Sequence, residues 1–163
     1  MRLVKIDLLI LVLLLFVSCG NEKEIYKYEN GISQYLNEEF NVKNKNGFFY
    51  FLHLSDCYTC CGTGDNLRML TEVSKQYTLT VVIIGKTNRQ DFVDKIKNLK
   101  KENIICIEDS LNSIQYYETG VLKPLLMHYD KNENVFFKRI IDSDIPFVKE
   151  YICNHQEKQK LKN

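Results

Sequence analysis

Cys57 and Cys60, in the stretch Ser55-Asp56-Cys57-Tyr58-Thr59-Cys60-Cys61-Gly62, are the residues of this chain best suited to chemistry. A Cys-x-x-Cys pair at a strand-to-helix junction is the spacing of a redox dithiol. A thiol attacks only as its thiolate, and an ordinary cysteine has a pKa near ~8.5. Unpaired N–H groups and the positive dipole end at the start of a helix favour that thiolate. Cys57 is expected at such a start, more exposed, and is therefore the expected attacking sulfur. Cys60 stands nearly one turn further on, so the two sulfurs can close a Cys57–Cys60 disulfide, with Cys60 as the resolving thiol. Asp56 sets a negative charge beside Cys57 and opposes thiolate formation. Cys61 offers Cys57 a second sulfur partner. His53 is expected in a buried strand ahead of the motif, as a satisfied core histidine or, lying behind the thiols, as their modulator.

The elements that must position these residues are legible in the pattern. The run Phe48-Phe49-Tyr50-Phe51-Leu52-His53-Leu54 is apolar almost throughout, as a strand buried on both faces of a central sheet would be. Leu67, Leu70, Val73 and Tyr77 recur at helical spacing, which predicts a helix over 66–77 that starts nearer Tyr58. Residues 79–84 form a β-branched strand, 88–101 a helix and 104–107 a short strand. A short helix over 111–117 is expected to end at Gly120 as its cap. Pro124 precedes a strand at 125–129, a hairpin loop at 130–134 and the partner strand at 135–140. Pro146 opens a last helix that runs to about His155. Ahead of all these, 32–40 has helical spacing and 41–47 a turn composition. The order predicts an α/β fold with a mixed central β-sheet flanked by helices on both faces.

The chain carries 22 basic and 21 acidic side chains, a balance that excludes a general electrostatic attraction to nucleic acid. Its 45% hydrophobic content suffices for a real core in one domain. Residues 1–18 read as a lipoprotein signal peptide. Arg2 and Lys5 precede an apolar run over 8–17 that is too short to span ~30 Å of hydrocarbon. Phe16-Val17-Ser18-Cys19 then resembles a lipobox, whose cysteine is lipidated and becomes the first residue of the mature chain. Cleavage there removes Arg2, Lys5 and Asp7 and leaves acidic and basic side chains in equal number. Acyl chains on Cys19 would anchor the protein to a membrane. Residues 19–30 are expected to be a polar tether, 31–155 the domain and 156–163 a basic tail. The expected location is the bacterial cell envelope, facing the periplasm or the exterior, where disulfides persist.

Strand, Cys57-x-x-Cys60, helix, and then the stretch Tyr117-Glu-Thr-Gly-Val-Leu-Lys-Pro-Leu-Leu-Met-His-Tyr-Asp-Lys-Asn-Glu-Asn-Val135 resemble the thioredoxin-like fold. With the lipoprotein signal, the chain resembles the envelope-anchored, TlpA-like thiol–disulfide oxidoreductases. The resemblance implies that Cys57 is the nucleophile and Cys60 the resolving thiol, and that no cofactor is needed. It implies a cis Lys123–Pro124 bond, with Lys123 and Pro124 docking the substrate chain beside the disulfide. It also implies envelope partners with thiols or disulfides, and an upstream redox donor or acceptor. The chain departs from the family pattern in having no Trp, and Asp56 stands where the family has an aromatic residue.

A copper-binding alternative uses Cys57, Cys61 and His128. That Cys-x-x-x-Cys spacing with a distal histidine resembles the Sco-like branch of the same fold, and soft thiolates with imidazole suit copper. A third alternative is a thioredoxin-fold lipoprotein that binds a partner without catalysis. Structural zinc would need a second ligand pair, which is absent from the sequence. Cys106 is expected as a buried, inert thiol and Cys153 as a helix-face residue.

Overall fold

The computed structural model describes residues 25–54 and 62–160. Its elements run α1 (Glu29–Phe40), β1 (Gly47–His53), α2 (Thr63–Ser74), β2 (Leu79–Ile84), α3 (Gln90–Leu99) and β3 (Ile104–Asp109). A 3-10 turn (Ser113–Tyr116), β4 (Leu125–Asp130), β5 (Glu133–Arg139), a second 3-10 turn (Asp142–Asp144) and α4 (Ile145–Lys160) follow. The five strands form one mixed sheet in the order β3-β2-β1-β4-β5, with β1 in the middle. β1–β2 and β2–β3 pair parallel, as strands joined through helices must, and the late hairpin adds β4 and β5 antiparallel.

The central place of β1 explains its composition. Phe48, Tyr50 and Leu52 project to one face and join Leu67, Leu70, Phe92, Ile96, Val148 and Ile152 from α2, α3 and α4. Phe49 and Phe51 project to the other face and join Ile32, Tyr35 and Leu36 from α1. Both faces are therefore covered by helices, and a near-continuous apolar strand is what such a position selects.

Several boundaries differ from the sequence pattern for identifiable reasons. Helix α2 starts at Thr63, not near Tyr58, because Gly62 takes a left-handed conformation at the N-cap (φ 49, ψ 32). Glycine alone enters that region without a Cβ penalty. Gly120 does not cap the 3-10 turn, which ends at Tyr117 in extended conformation; instead the Tyr28 ring lies where a side chain at 120 would be. The hairpin loop contracts to Lys131 and Asn132, both at positive φ (49 and 73), the signature of a two-residue turn whose twist matches the strands. Residues 25–30 are not tether. Tyr26 is buried and donates to the Thr119 carbonyl (3.0 Å), and Glu29 opens α1 and pairs with Lys45 (2.7 Å). At the other end, the last helix continues to Lys160, so residues 156–160 are helix and not tail.

One polar side chain is built into the aromatic core. His128 on β4 stacks on Phe48 (4.3 Å between centroids), and its Nδ1 lies 3.1 Å from the Tyr151 hydroxyl of α4. Burial, helped by nearby His155 and opposed by Asp130, lowers its pKa to about 4. The folded state thus favours neutral His128, so this stability is present above the unfolded pKa and is lost as pH falls from about 6.5 towards 4. Acid titration of unfolding should show a loss of about 3 kcal/mol across that window, and His128→Phe should remove most of that slope. An unchanged slope in the variant would mean that His128 does not carry it.

Candidate functional site

The carboxyl ends of β1, β2 and β3 meet at one edge of the sheet. Crossovers from β1 to β2 and from β2 to β3 move to one side of β1, and β4 is added on the other. The space above β1 and β4 is therefore a topological switch point, where ligands bind in open α/β sheets. The chain leaves β1 here at His53 and Leu54 and re-enters at Gly62, ahead of α2. Cys19, Asp56, Cys57, Cys60 and Cys61 lie outside the described residues.

Both ends of the cysteine stretch are fixed. Leu54 N donates to the Ile84 carbonyl (2.9 Å), extending the β1–β2 ladder past its last strand residue. On the other side, the Gly62 carbonyl accepts from Asp65 N, Asn66 N and Asn66 Nδ2, each at 2.9 Å. Asn66 is in turn held by the buried Tyr50 hydroxyl, which donates to its Oδ1. A side chain at the centre of the sheet thus sets where the cysteine stretch ends and helix begins. The Asp142 carboxylate lies over Gly62, its Oδ1 only 2.0 Å from where a Cβ would stand.

The sequence-derived site residues divide into two groups. His53, Lys123 and Pro124 are at the switch-point edge: Leu125 pairs with Phe51, so Lys123 and Pro124 enter the sheet where His53 and Leu54 leave it. Lys123 is exposed and Pro124 buried. The expected cis bond is absent; Lys123–Pro124 is trans, the ordinary preference even before proline. The Pro124 carbonyl accepts from Ile140 N (2.8 Å), which ties the start of β4 to the end of β5. Half-buried His53 is poised towards its neutral form. Burial lowers its pKa, against a hydrogen bond to the Val121 backbone and the Asp109 charge, which raise it.

His128 belongs to the other group. It pairs with Phe48 at the far end of β1, five residues from His53, or about 16 Å at a strand rise of ~3.3 Å. Its place in the Phe48–Tyr151 stack is a packing role; Cys57 and Cys61 of the copper set lie outside the described residues. Among the described residues, no cluster of three or more His, Cys, Asp or Glu side chains could hold a metal. Cys106 and Cys153 are free and half-buried, and burial pushes the Cys106 thiol up to about 11, an inert state at neutral pH.

Asp109 is the residue that sequence patterning missed. It ends β3 at the same edge and is 3% exposed. It accepts from Tyr35 Oη (3.0 Å), Ser113 N (2.7 Å), Ser113 Oγ (3.0 Å) and Ile114 N (2.9 Å). Burial would raise its pKa, but those donors outweigh burial and hold the carboxyl below its ordinary range. An acid closing an apolar strand, four residues ahead of a serine, was the available signal.

No family model, curated protein or solved structure matches the chain.

The Tyr50–Asn66–Gly62 tie gives two expectations. Tyr50→Phe removes the buried hydroxyl that donates to Asn66 Oδ1 and should cost about 0.5–1.5 kcal/mol in denaturant unfolding, the usual net worth of one such bond. Gly62→Ala forces a left-handed alanine against Asp142 and should cost about 1–2 kcal/mol. If each variant unfolds within experimental error of wild type, the tie does not define the helix start.

Proposed function

We propose that the protein is a thiol–disulfide exchange enzyme of thioredoxin-like architecture, with Cys57 as attacking and Cys60 as resolving sulfur. The observation that carries this is the convergence at the switch point. The two fixed ends of the cysteine stretch, Leu54 and Gly62, and the Lys123–Pro124 entry to β4 belong to one edge of a mixed α/β sheet. A dithiol carried there would sit at the end of the sheet where ligands bind in open α/β folds, as an exchange site for protein substrates requires. The trans Lys123–Pro124 bond departs from the family pattern, so substrate docking at these residues would use a different backbone shape.

The exchange is balanced without a cofactor. The Cys57 thiolate attacks a sulfur of the partner disulfide. A mixed disulfide forms as the partner's S–S bond breaks, and its second sulfur leaves as a thiolate that takes up a proton. Cys60, having released its proton, attacks Cys57 Sγ; the Cys57–Cys60 bond forms and the partner's first sulfur leaves as thiolate. Two electrons pass from the chain to the partner, and an upstream envelope dithiol restores the reduced pair. The same steps in reverse oxidise a partner, with the direction set by the two potentials. The lipobox-like stretch ending at Cys19 supports placing this chemistry at the envelope membrane. Among the described residues no helix is long and apolar enough to cross a membrane.

Turnover of a disulfide-bonded peptide by a dithiol reductant tests the proposal. Wild type should accelerate it and Cys57→Ser should fall to the uncatalysed rate. Equal rates for the two proteins would refute the proposal.

A further inference from the structure

A groove of about 350 Å³ opens on the side of the same edge opposite to Pro124, between the ends of β2 and β3 and helix α3. Its apolar part includes Leu54, the last described residue before the cysteine stretch, and Ile96 of α3. Lys86, Lys97 and Lys100 also line it, and among the described residues Glu108 is the only acidic one that does. Glu108 pairs with Lys100, so Lys86 and Lys97 add positive charge that no acidic residue among the described lining balances. On a chain whose overall charge is +1, this is a local concentration of positive charge beside apolar surface. Such an arrangement attracts negative charge over a distance of about a Debye length, ~10 Å in ordinary buffer.

From this placement, and resting on the exchange function proposed above, we infer that the groove docks an acidic segment of the partner polypeptide. The partner's carboxylates meet Lys86 and Lys97, and an apolar side chain of the same segment covers Leu54 and Ile96. The partner cysteine is then delivered across Leu54 to the adjoining cysteine stretch. Lys86 and Lys97 are specificity residues in this arrangement; they bind the partner and take no part in sulfur transfer. Both are exposed, so replacing them leaves the core intact.

Binding is separable from exchange. The Cys57→Ser, Cys60→Ser double variant of the full chain is titrated with a short fluorescent peptide rich in glutamate and leucine, and with its glutamine and lysine counterparts. The glutamate peptide should bind about tenfold more tightly than the glutamine peptide, and the difference should shrink in high salt. Adding Lys86→Glu and Lys97→Glu should abolish the preference, while Lys131→Glu, at the hairpin turn on the far edge of the sheet, should preserve it. Equal binding of all three peptides, or an unchanged preference after the Lys86 and Lys97 reversals, overturns the inference. In wild type, disulfide peptides that are exchanged without regard to charge would also overturn it while leaving the exchange function standing. If the acidic peptide binds but no peptide disulfide is exchanged, the exchange function fails instead.

Discussion

The hydrogen bond from Tyr50 to Asn66 is the contact on which the candidate site depends. It joins the central strand to the first turn of α2 with both partners buried. Asn66 can then offer its Nδ2 to the Gly62 carbonyl, next to the backbone donors of Asp65 and Asn66. With the left-handed Gly62 at the N-cap, the Tyr50–Asn66 bond helps fix where the helix of Leu67, Leu70 and Val73 starts. A buried side-chain pair of this kind is costly when half-made and defines one arrangement when complete. It converts the stretch between Leu54 and Gly62 into a segment with two anchored ends.

Charge is placed at both edges of the sheet by the same logic. At the amino end of β1, Glu29 pairs with Lys45 and accepts from Tyr129 Oη (2.8 Å), and the Lys45 ammonium lies over the Tyr129 ring. At the carboxyl end, Asp109 is surrounded by donors from α1 and the turn after β3. Each carboxylate ties α1 to the sheet, so α1 covers its face through polar contacts at both ends and apolar packing between them. Removing one partner of a pair this buried leaves a charge that cannot regain water.

Most of the architecture was legible because apolar periodicity is a direct record of burial. The fully buried runs at β1 and β2 and the Phe92, Ile96 and Leu99 spacing of α3 fall where the pattern puts them. The misses occur where a single contact overrides composition. Gly62 delays α2, Tyr28 occupies the place expected of a cap at Gly120, and Tyr26 and Glu29 draw a polar leader into the domain. His128 shows the limit for sites. Strand pairing puts it opposite Phe48, at the other end of β1 from His53, where it packs in the aromatic core. Lys123 and Pro124 lead into β4 beside the end of β1, and the bond between them is trans where the family resemblance implies cis.

The central claim is a reversible dithiol confined to Cys57 and Cys60. Equilibration of the protein in thiol–disulfide buffers of graded potential, with the linked residues identified by mass spectrometry, tests it most directly. The account predicts one reversible two-electron transition in which Cys57 and Cys60 alone gain and lose their bond. A chain that shows no reversible transition, or whose bond maps to Cys61, Cys106 or Cys153, would contradict it.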